Sequence, residues 1–177
     1  AGKYNDGAPE NRRILAERLA DGMRRAWENT KREPIATANV SWRRESVAIP
    51  PAKHLTIDSL EAQLKDRAAP FVGPGGGASR LAWVRRCQAG HRIDVTCLTL
   101  GRARILNLPG EPFVEFQLGA KAHRPDLFVA VAGYGDYAPW YIGTAAAYDE
   151  GGYETSPSAS NVGPEAEAIL SAAIRKL

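Results

Sequence analysis

Two apolar stretches separated by an amphipathic one constrain the fold of this chain more than any other feature. Residues 102–107 and 126–133 have the length and composition of strands, and 111–122 has helical spacing. Pro112 suits the first turn of such a helix. A helix between two strands in this order typically forms a right-handed crossover between parallel strands. We therefore predict a parallel strand-helix-strand unit at 102–133, with the second strand buried on both faces.

Further helices and strands are predicted around this unit. Leu15, Leu19 and Met23 recur at helical spacing and indicate an amphipathic helix over 8–29. We also predict one or two strands over 35–50, a short helix over 56–68 capped by Asp58 or Ser59, strands over 81–87 and 92–101 joined by a tight turn at Ala89-Gly90, and a terminal helix over 164–177. The predicted fold class is α/β, a single domain over 1–177 with a mixed sheet and flanking helices.

Composition argues against two classes of partner. The formal net charge is only +3, and the basic residues occur as pairs with acidic neighbours, so nothing indicates a nucleic-acid partner. The longest apolar run, 127–133, is far shorter than the roughly 20 residues that span a bilayer, so no transmembrane segment is expected. The sequence shows no signal peptide and begins without methionine. Either its start has been removed or it belongs to a longer protein.

The glycine-rich segment FVGPGGGAS at 71–79 is a candidate phosphate loop that its sequence does not support. It lacks the residue order and the lysine of a P-loop, and no clear strand precedes it. We predict a flexible surface or lid loop instead. Cys87 and Cys97 would not face each other across the hairpin predicted around Ala89-Gly90, so no disulfide is expected between them.

Glu111 lies where the first strand of the crossover unit ends and its helix is predicted to begin. Ligands of open α/β sheets bind at the carboxyl ends of the strands, which makes this carboxylate a candidate ligand. An anion is also favourable at the amino end of a helix, so capping or a dipole interaction explains the same position. The position alone leaves both interpretations open.

The second strand of the unit ends in an aromatic segment, GYGDYAPWYIGT. Within eight residues it contains Tyr134, Asp136, Tyr137, Trp140 and Tyr141. If the two strands are neighbours in one sheet, this segment lies beside Glu111 at the same edge. A hydrophobic cluster beneath a long loop is the alternative interpretation.

The elements LPGEPFVEFQ and WYIGTAAAYDEGGYE, in this order, resemble the closing part of the catalytic domain of neutral (non-lysosomal) ceramidases. In that family a glutamate in a P-G-E element and a tyrosine in a Y-[IV]-x-T-x-x-x-Y-x-x-x-x-Y-E element bind the catalytic zinc. Glu111 matches the glutamate and Tyr141 matches the tyrosine. Ile142, Thr144, Tyr148, Tyr153 and Glu154 complete the second element. The resemblance is strong over roughly 100–154 and faint before residue 80.

This resemblance implies the carboxy-terminal half of a larger hydrolase domain, with zinc as cofactor. Glu111 and Tyr141 would bind the metal, and Tyr137, Trp140 and Tyr153 would shape the substrate pocket. A catalytic zinc lowers the pKa of its bound water to about 7 and polarises the carbonyl under attack. The implied activity is hydrolysis of an amide bond, in the family that of N-acyl-sphingosine, by a metal-activated water. The substrate is then a small-molecule amide or a lipid.

The chain departs from the family pattern in its histidines. Family members supply two histidine ligands and a serine important for catalysis from upstream sequence, whereas His54, His91 and His123 of this chain lie in no ligand motif. The remaining catalytic residues are therefore expected upstream, and the missing amino-terminal half of the domain is an expected partner. The resemblance also implies a secreted or periplasmic protein. The alternatives are a related hydrolase of another amide or ester, and a non-catalytic binding domain that retains the fold.

Overall fold

The computed structural model describes residues 7–66 and 76–177. Most of the predicted lid loop, residues 71–75, therefore lies outside the described residues. The chain divides into two compact units, Ala1–Pro34 and Ile35–Leu177. The prediction of a single domain over 1–177 stays a prediction.

The first unit contains one described helix, α1 (Glu10–Glu28). The predicted helix over 8–29 is thus confirmed, with Pro9 at its amino-terminal cap. Exposed ion pairs between residues four apart, such as Arg13 with Glu17 at 3.4 Å, add the small stabilisation typical of such pairs.

The second unit is an α/β structure with a mixed sheet, which confirms the predicted fold class. Its elements are β1 (Val40–Val47), α2 (Ile57–Lys65), α3 (Gly77–Gln88), β2 (Ile93–Leu100), β3 (Ala103–Asn107), β4 (Glu111–Pro112), α4 (Val114–His123), β5 (Phe128–Ala132), β6 (Tyr141–Ile142), α5 (Ala145–Glu150) and α6 (Glu165–Lys176). Strands β1, β2, β3 and β5 form a sheet in that order, antiparallel except for the last pair. Strands β4 and β6 form a separate parallel pair.

The predicted crossover is confirmed, because β3 and β5 are parallel neighbours and α4 lies between them in the chain. Two details of the prediction were wrong. The helix begins at Val114 rather than at Glu111, because residues 111–112 are extended and pair with β6. Strand β5 is also not buried on both faces. It is an edge strand on which Phe128 is 69% exposed, and small apolar residues fit such a half-covered strand as well as a central one.

The predicted strand over 81–87 was wrong, since these residues belong to α3. Leu81 and Trp83 suggested alternation, but the buried residues of this segment also include Gly77 and Val84, at helical spacing from Leu81. The expected hairpin turn is instead the end of this helix, where Gly90 has a φ of 79° and its N–H donates to the Cys87 carbonyl at 3.0 Å. Both cysteines are free thiols on different elements, Cys87 on α3 and Cys97 on β2.

The other predicted helices are found with small changes at their ends. Thr56, rather than Asp58 or Ser59, caps α2, and its hydroxyl accepts the Ser59 N–H at 3.3 Å. The terminal helix α6 packs against β1 and β2, where Leu170 and Val95 are fully buried in the core. Among the helices of the described ranges, none has the length and apolar character that crossing a bilayer requires.

Candidate functional site

Glu111 and Tyr141 face each other across the β4–β6 pair. The two residues are register partners in this parallel ladder. The Glu111 N–H donates to the Trp140 carbonyl at 2.8 Å, and the Phe113 N–H donates to the Ile142 carbonyl at 3.0 Å. Since side chains of paired residues in adjacent strands project to the same face, this pairing places the carboxylate beside the phenol.

Two glycines allow the strand that carries Glu111 and the aromatic segment to approach each other closely. Gly110 has a φ of 60°, and a Cβ on it would lie 2.4 Å from the Trp140 carbonyl oxygen. A Cβ on Gly135 would lie 2.9 Å from the Leu108 carbonyl oxygen. Any larger residue would push the strand that carries Glu111 away from the aromatic segment.

The aromatic segment contains two residues with an uncommon backbone conformation. Tyr134 has a φ of 63° and Trp140 a φ of 58°, a region that costs a non-glycine residue about 1–2 kcal/mol. Hydrogen bonds to the opposite segment hold both residues. The Tyr134 N–H donates to the Gly110 carbonyl at 2.7 Å, and the Trp140 carbonyl accepts the Glu111 N–H at 2.8 Å. Strain of this kind is found most often at functional sites.

Tyr134 and Tyr141 interact with Glu111, and Tyr137 and Tyr153 pack against these two rings. We call the four residues the tyrosine cluster. The rings of Tyr134 and Tyr137 stack with centroids 5.9 Å apart, and those of Tyr141 and Tyr153 meet edge to face at 6.1 Å. A hydrogen bond to Glu111, together with partial desolvation and the negative charge of Glu111, raises the pKa of Tyr134. Desolvation, and then the charge of Glu111 and a hydrogen bond to it, raise the pKa of Tyr141. Both phenols are therefore protonated at neutral pH.

Trp140 reaches the site through its backbone, while its ring turns toward α3. The Arg80 guanidinium carbon lies 4.7 Å from the centre of the indole ring, which is a cation–π contact. The same guanidinium donates to the carbonyls of Pro157 and Ser158 at 2.7 and 3.0 Å. Burial lowers the pKa of Arg80, but the guanidinium remains charged at neutral pH.

Asp136 ties the aromatic segment to α3 and to the start of β2. Its carboxylate lies 2.9 Å from an Arg86 amino nitrogen and 3.6 Å from Nε2 of His91. Its other oxygen accepts the Ala138 N–H at 3.2 Å. Burial acts to raise the pKa of Asp136, but the Ala138 N–H, Arg86 and His91 outweigh it, so this pKa lies below its ordinary value. The group is therefore an anion at neutral pH.

The described residues form no closed metal site. A carboxylate beside a phenol offers two oxygen ligands, whereas zinc usually takes four ligands, most of them nitrogen or sulfur. Within residues 7–66 and 76–177, no group of three or more His, Cys, Asp and Glu side chains could hold a metal ion. His91 contacts Asp136, and His54 lies near Arg80 and the Pro157 carbonyl. The pair Glu111 and Tyr141 fits zinc only if nitrogen ligands come from elsewhere.

The sequence indicated some of these neighbours and missed others. It placed Tyr137, Trp140 and Tyr153 in a pocket, and the structure places the two tyrosines in the tyrosine cluster and the indole ring under Arg80. Tyr134 was noticed only as part of the aromatic segment, because its left-handed backbone cannot be read from the residue type. Arg86 was missed because its helix was predicted as a strand. The metal role of Glu111 and Tyr141 stays a prediction.

No protein-family model matches this chain, and no curated protein matches it. Among solved structures, the crystal structure of neutral ceramidase from Pseudomonas aeruginosa is similar to it, with 14% sequence identity and a TM-score of 0.47. The similarity covers 77% of this chain and 27% of that chain, so the present chain spans about a quarter of that structure's length. This is a distant structural resemblance.

Proposed function

We propose that Glu111 and Tyr141 supply two ligands of the catalytic zinc in a ceramidase-like amide hydrolase. One observation carries the proposal: the β4–β6 ladder brings together the glutamate and the tyrosine of the two sequence elements that resemble neutral ceramidases. The two residues are 30 positions apart in the sequence, and they pair through a ladder of only two residues on each side.

The structure weakens the competing explanation of Glu111 as a partner of the helix dipole. Helix α4 begins at Val114 with Phe113 as its cap, and the acidic residue of its first turn is Glu115. Dipole interactions fall off within the first turn, so Glu115 rather than Glu111 is placed to provide this stabilisation.

In the proposed site the residues of this chain hold the metal and orient the substrate. Glu111 would contribute an anionic oxygen, and Tyr141 would give up its proton to the solvent as the metal binds. The bound metal would activate a water and polarise the scissile carbonyl. Tyr137 and Tyr153, which are 49% and 65% exposed, would form part of the wall that meets the substrate. The nitrogen ligands would come from an upstream half of the same domain, which we propose as the partner of this chain.

The test uses a polypeptide that includes this chain together with the proposed upstream half. The assay is release of fatty acid from a short-chain ceramide, with and without a chelator. Glu111→Gln removes the charge at nearly constant volume, so it should keep the fold, weaken metal retention and reduce turnover by about 10-fold to 100-fold or more. Tyr141→Phe, which removes one oxygen from an intact ring, should reduce activity in the same direction.

Glu115→Gln is the matched control, because it removes the same charge four residues away. It should lower the free energy of unfolding by about 0.3–1 kcal/mol through the helix dipole and leave turnover unchanged. Chelator-insensitive activity, or a Glu111→Gln protein as active as wild type, would refute the zinc site. Ceramide binding without hydrolysis in the wild type would favour a binding domain that retains the fold.

A further inference from the structure

Helix α3 holds the aromatic segment at two points. Arg86 forms an ion pair with Asp136 at 2.9 Å, and Arg80 stacks over the Trp140 ring at 4.7 Å. The helix itself is firmly anchored, since Trp83 is 1% exposed and its indole N–H donates to the Asn161 carbonyl at 3.1 Å. The segment is therefore fixed to a rigid element of the core.

Asp136 connects helix α3 to the backbone next to Glu111. Its backbone carbonyl accepts the Gly110 N–H at 2.8 Å, and Gly110 directly precedes Glu111. Its side chain binds Arg86 and the Ala138 N–H at the same time. One residue thus joins α3, the aromatic segment and the strand that carries the candidate ligand.

We propose that the Arg86–Asp136 ion pair is a positioning element that holds the aromatic segment in the conformation in which Tyr134 and Tyr141 meet Glu111. This inference rests on the proposed function, because it is there that the distance between Glu111 and Tyr141 matters. Arg86 and Asp136 act through the backbone of Gly110 and are not ligands themselves. The left-handed conformations of Tyr134 and Trp140 are strained, so a segment released from α3 would relax away from Glu111.

Amide hydrogen exchange of this chain, followed by NMR, tests the proposal without metal or substrate. The reporters are the N–H groups of Gly110, Glu111 and Tyr134, which bind the Asp136, Trp140 and Gly110 carbonyls. Val95, fully buried in the central strand β2, reports global opening. In Arg86→Gln the three reporters should lose at least about tenfold more protection than Val95. If the ion pair only stabilised the fold, all four amides would lose protection by the same factor, and the proposal would be overturned.

Arg85→Gln is the matched control on the same helix. Arg85 pairs with Glu61 of α2 at 2.6 Å rather than with the aromatic segment, so its loss should not act selectively on the three reporters. Arg86→Lys retains the charge and should restore most of the protection. Should Arg86→Gln fail to fold, Asp136→Asn serves in its place, since the amide oxygen can still accept the Ala138 N–H. Selective loss in Asp136→Asn supports the proposal, and uniform loss overturns it.

The two proposals fail in different experiments. Uniform loss of protection in Arg86→Gln refutes the positioning role and leaves the ligand role of Glu111 intact. An active Glu111→Gln enzyme refutes the zinc site, while the exchange experiment still reports whether the ion pair fixes the segment.

Discussion

Glu111 and Tyr141 are direct partners in a parallel ladder of two residues on each strand. Residues 159–160 hold the backbone of Tyr141 in place. The Tyr141 N–H donates to the Ala159 carbonyl at 3.3 Å, and the Ser160 hydroxyl donates to the Tyr141 carbonyl at 2.8 Å. So short a ladder depends on its surroundings for its geometry. Substitutions in the residues around the ladder should therefore alter the position of Glu111 relative to Tyr141.

Gly110→Ala should separate the two strands of this ladder. The substitution adds a Cβ at 2.4 Å from the Trp140 carbonyl oxygen and forces a left-handed backbone on alanine. We expect the free energy of unfolding to fall by about 2–4 kcal/mol, of which the backbone conformation contributes about 1–2 kcal/mol. Urea unfolding followed by circular dichroism measures the loss.

Gly90→Ala separates the cost of a left-handed backbone from the cost of the close contact with Trp140. Gly90 has a φ of 79°, but a Cβ on it meets nothing within 4 Å. Its substitution should therefore cost only the backbone term, about 1–2 kcal/mol. Equal losses in Gly90→Ala and Gly110→Ala would show that the close approach to Trp140 has no energetic consequence.

The sequence was sufficient to predict the crossover unit, because its signal is local. Residues 128–132 are all apolar and 103–107 are rich in apolar residues over the length of a strand, and the helix between them has its own spacing. The prediction of a strand over residues 81–87 was wrong for the opposite reason, because the local sequence does not decide between strand and helix. Seven residues with apolar side chains at alternate positions near their start fit a strand and a helix equally well, and only the packing of α3 on the core decides.

The candidate site was predicted only in part, because its geometry depends on contacts distant in sequence. The resemblance to a family pointed to Glu111 and Tyr141, but the two-residue ladder between them is too short to produce a pattern. Tyr134 owes its place to a left-handed backbone, and Arg86 owes its place to an ion pair across 50 residues. Neither property has a local sequence signal.

Zinc binding by the isolated chain provides a second prediction. Two oxygen ligands without nitrogen partners hold zinc poorly, so the 177-residue chain should not retain stoichiometric zinc through gel filtration. Metal analysis of the eluted protein measures this. Tight stoichiometric zinc would contradict the expectation and would direct attention to His54 and His91.

A third prediction separates Tyr148 from Tyr153, which both belong to the second sequence element. The Tyr148 hydroxyl oxygen lies 2.8 Å from the Ser160 hydroxyl and 3.1 Å from the Val162 carbonyl, and burial raises the pKa of Tyr148. Tyr148→Phe should therefore lower the free energy of unfolding by about 1 kcal/mol and leave KM unchanged.

Tyr153→Ala should show the reverse behaviour. This ring is 65% exposed, so the loss of stability should stay within about 0.5 kcal/mol, whereas KM should rise if the ring forms part of the pocket wall. Unfolding curves and ceramide kinetics of both variants, in the polypeptide with the upstream half, provide the comparison. An unchanged KM in Tyr153→Ala would remove this residue from the pocket.

The last prediction concerns the pH dependence of stability and follows from Asp136. Burial alone would raise its pKa, but the Ala138 N–H, Arg86 and His91 lower it below its ordinary value. A carboxyl whose folded pKa is depressed stabilises the fold fully above its unfolded pKa, which is about 3.9 for aspartate, and loses this contribution as the pH falls through the folded pKa. Wild type should thus be more stable than Asp136→Asn at neutral pH, and the difference should shrink below about pH 4.

Urea midpoints measured from neutral to acidic pH test this, with Asp126→Asn as the comparison. A hydrogen bond from Arg124 lowers the pKa of the exposed Asp126 to about 2. Its contribution has the same sign and persists to lower pH, but solvent screening makes the contribution of such an exposed pair small. Both stability differences should therefore shrink on acidification, that of Asp126 at a lower pH than that of Asp136. A difference between wild type and Asp136→Asn that grows on acidification would contradict the assignment of Asp136 as a half-buried, ion-paired anion.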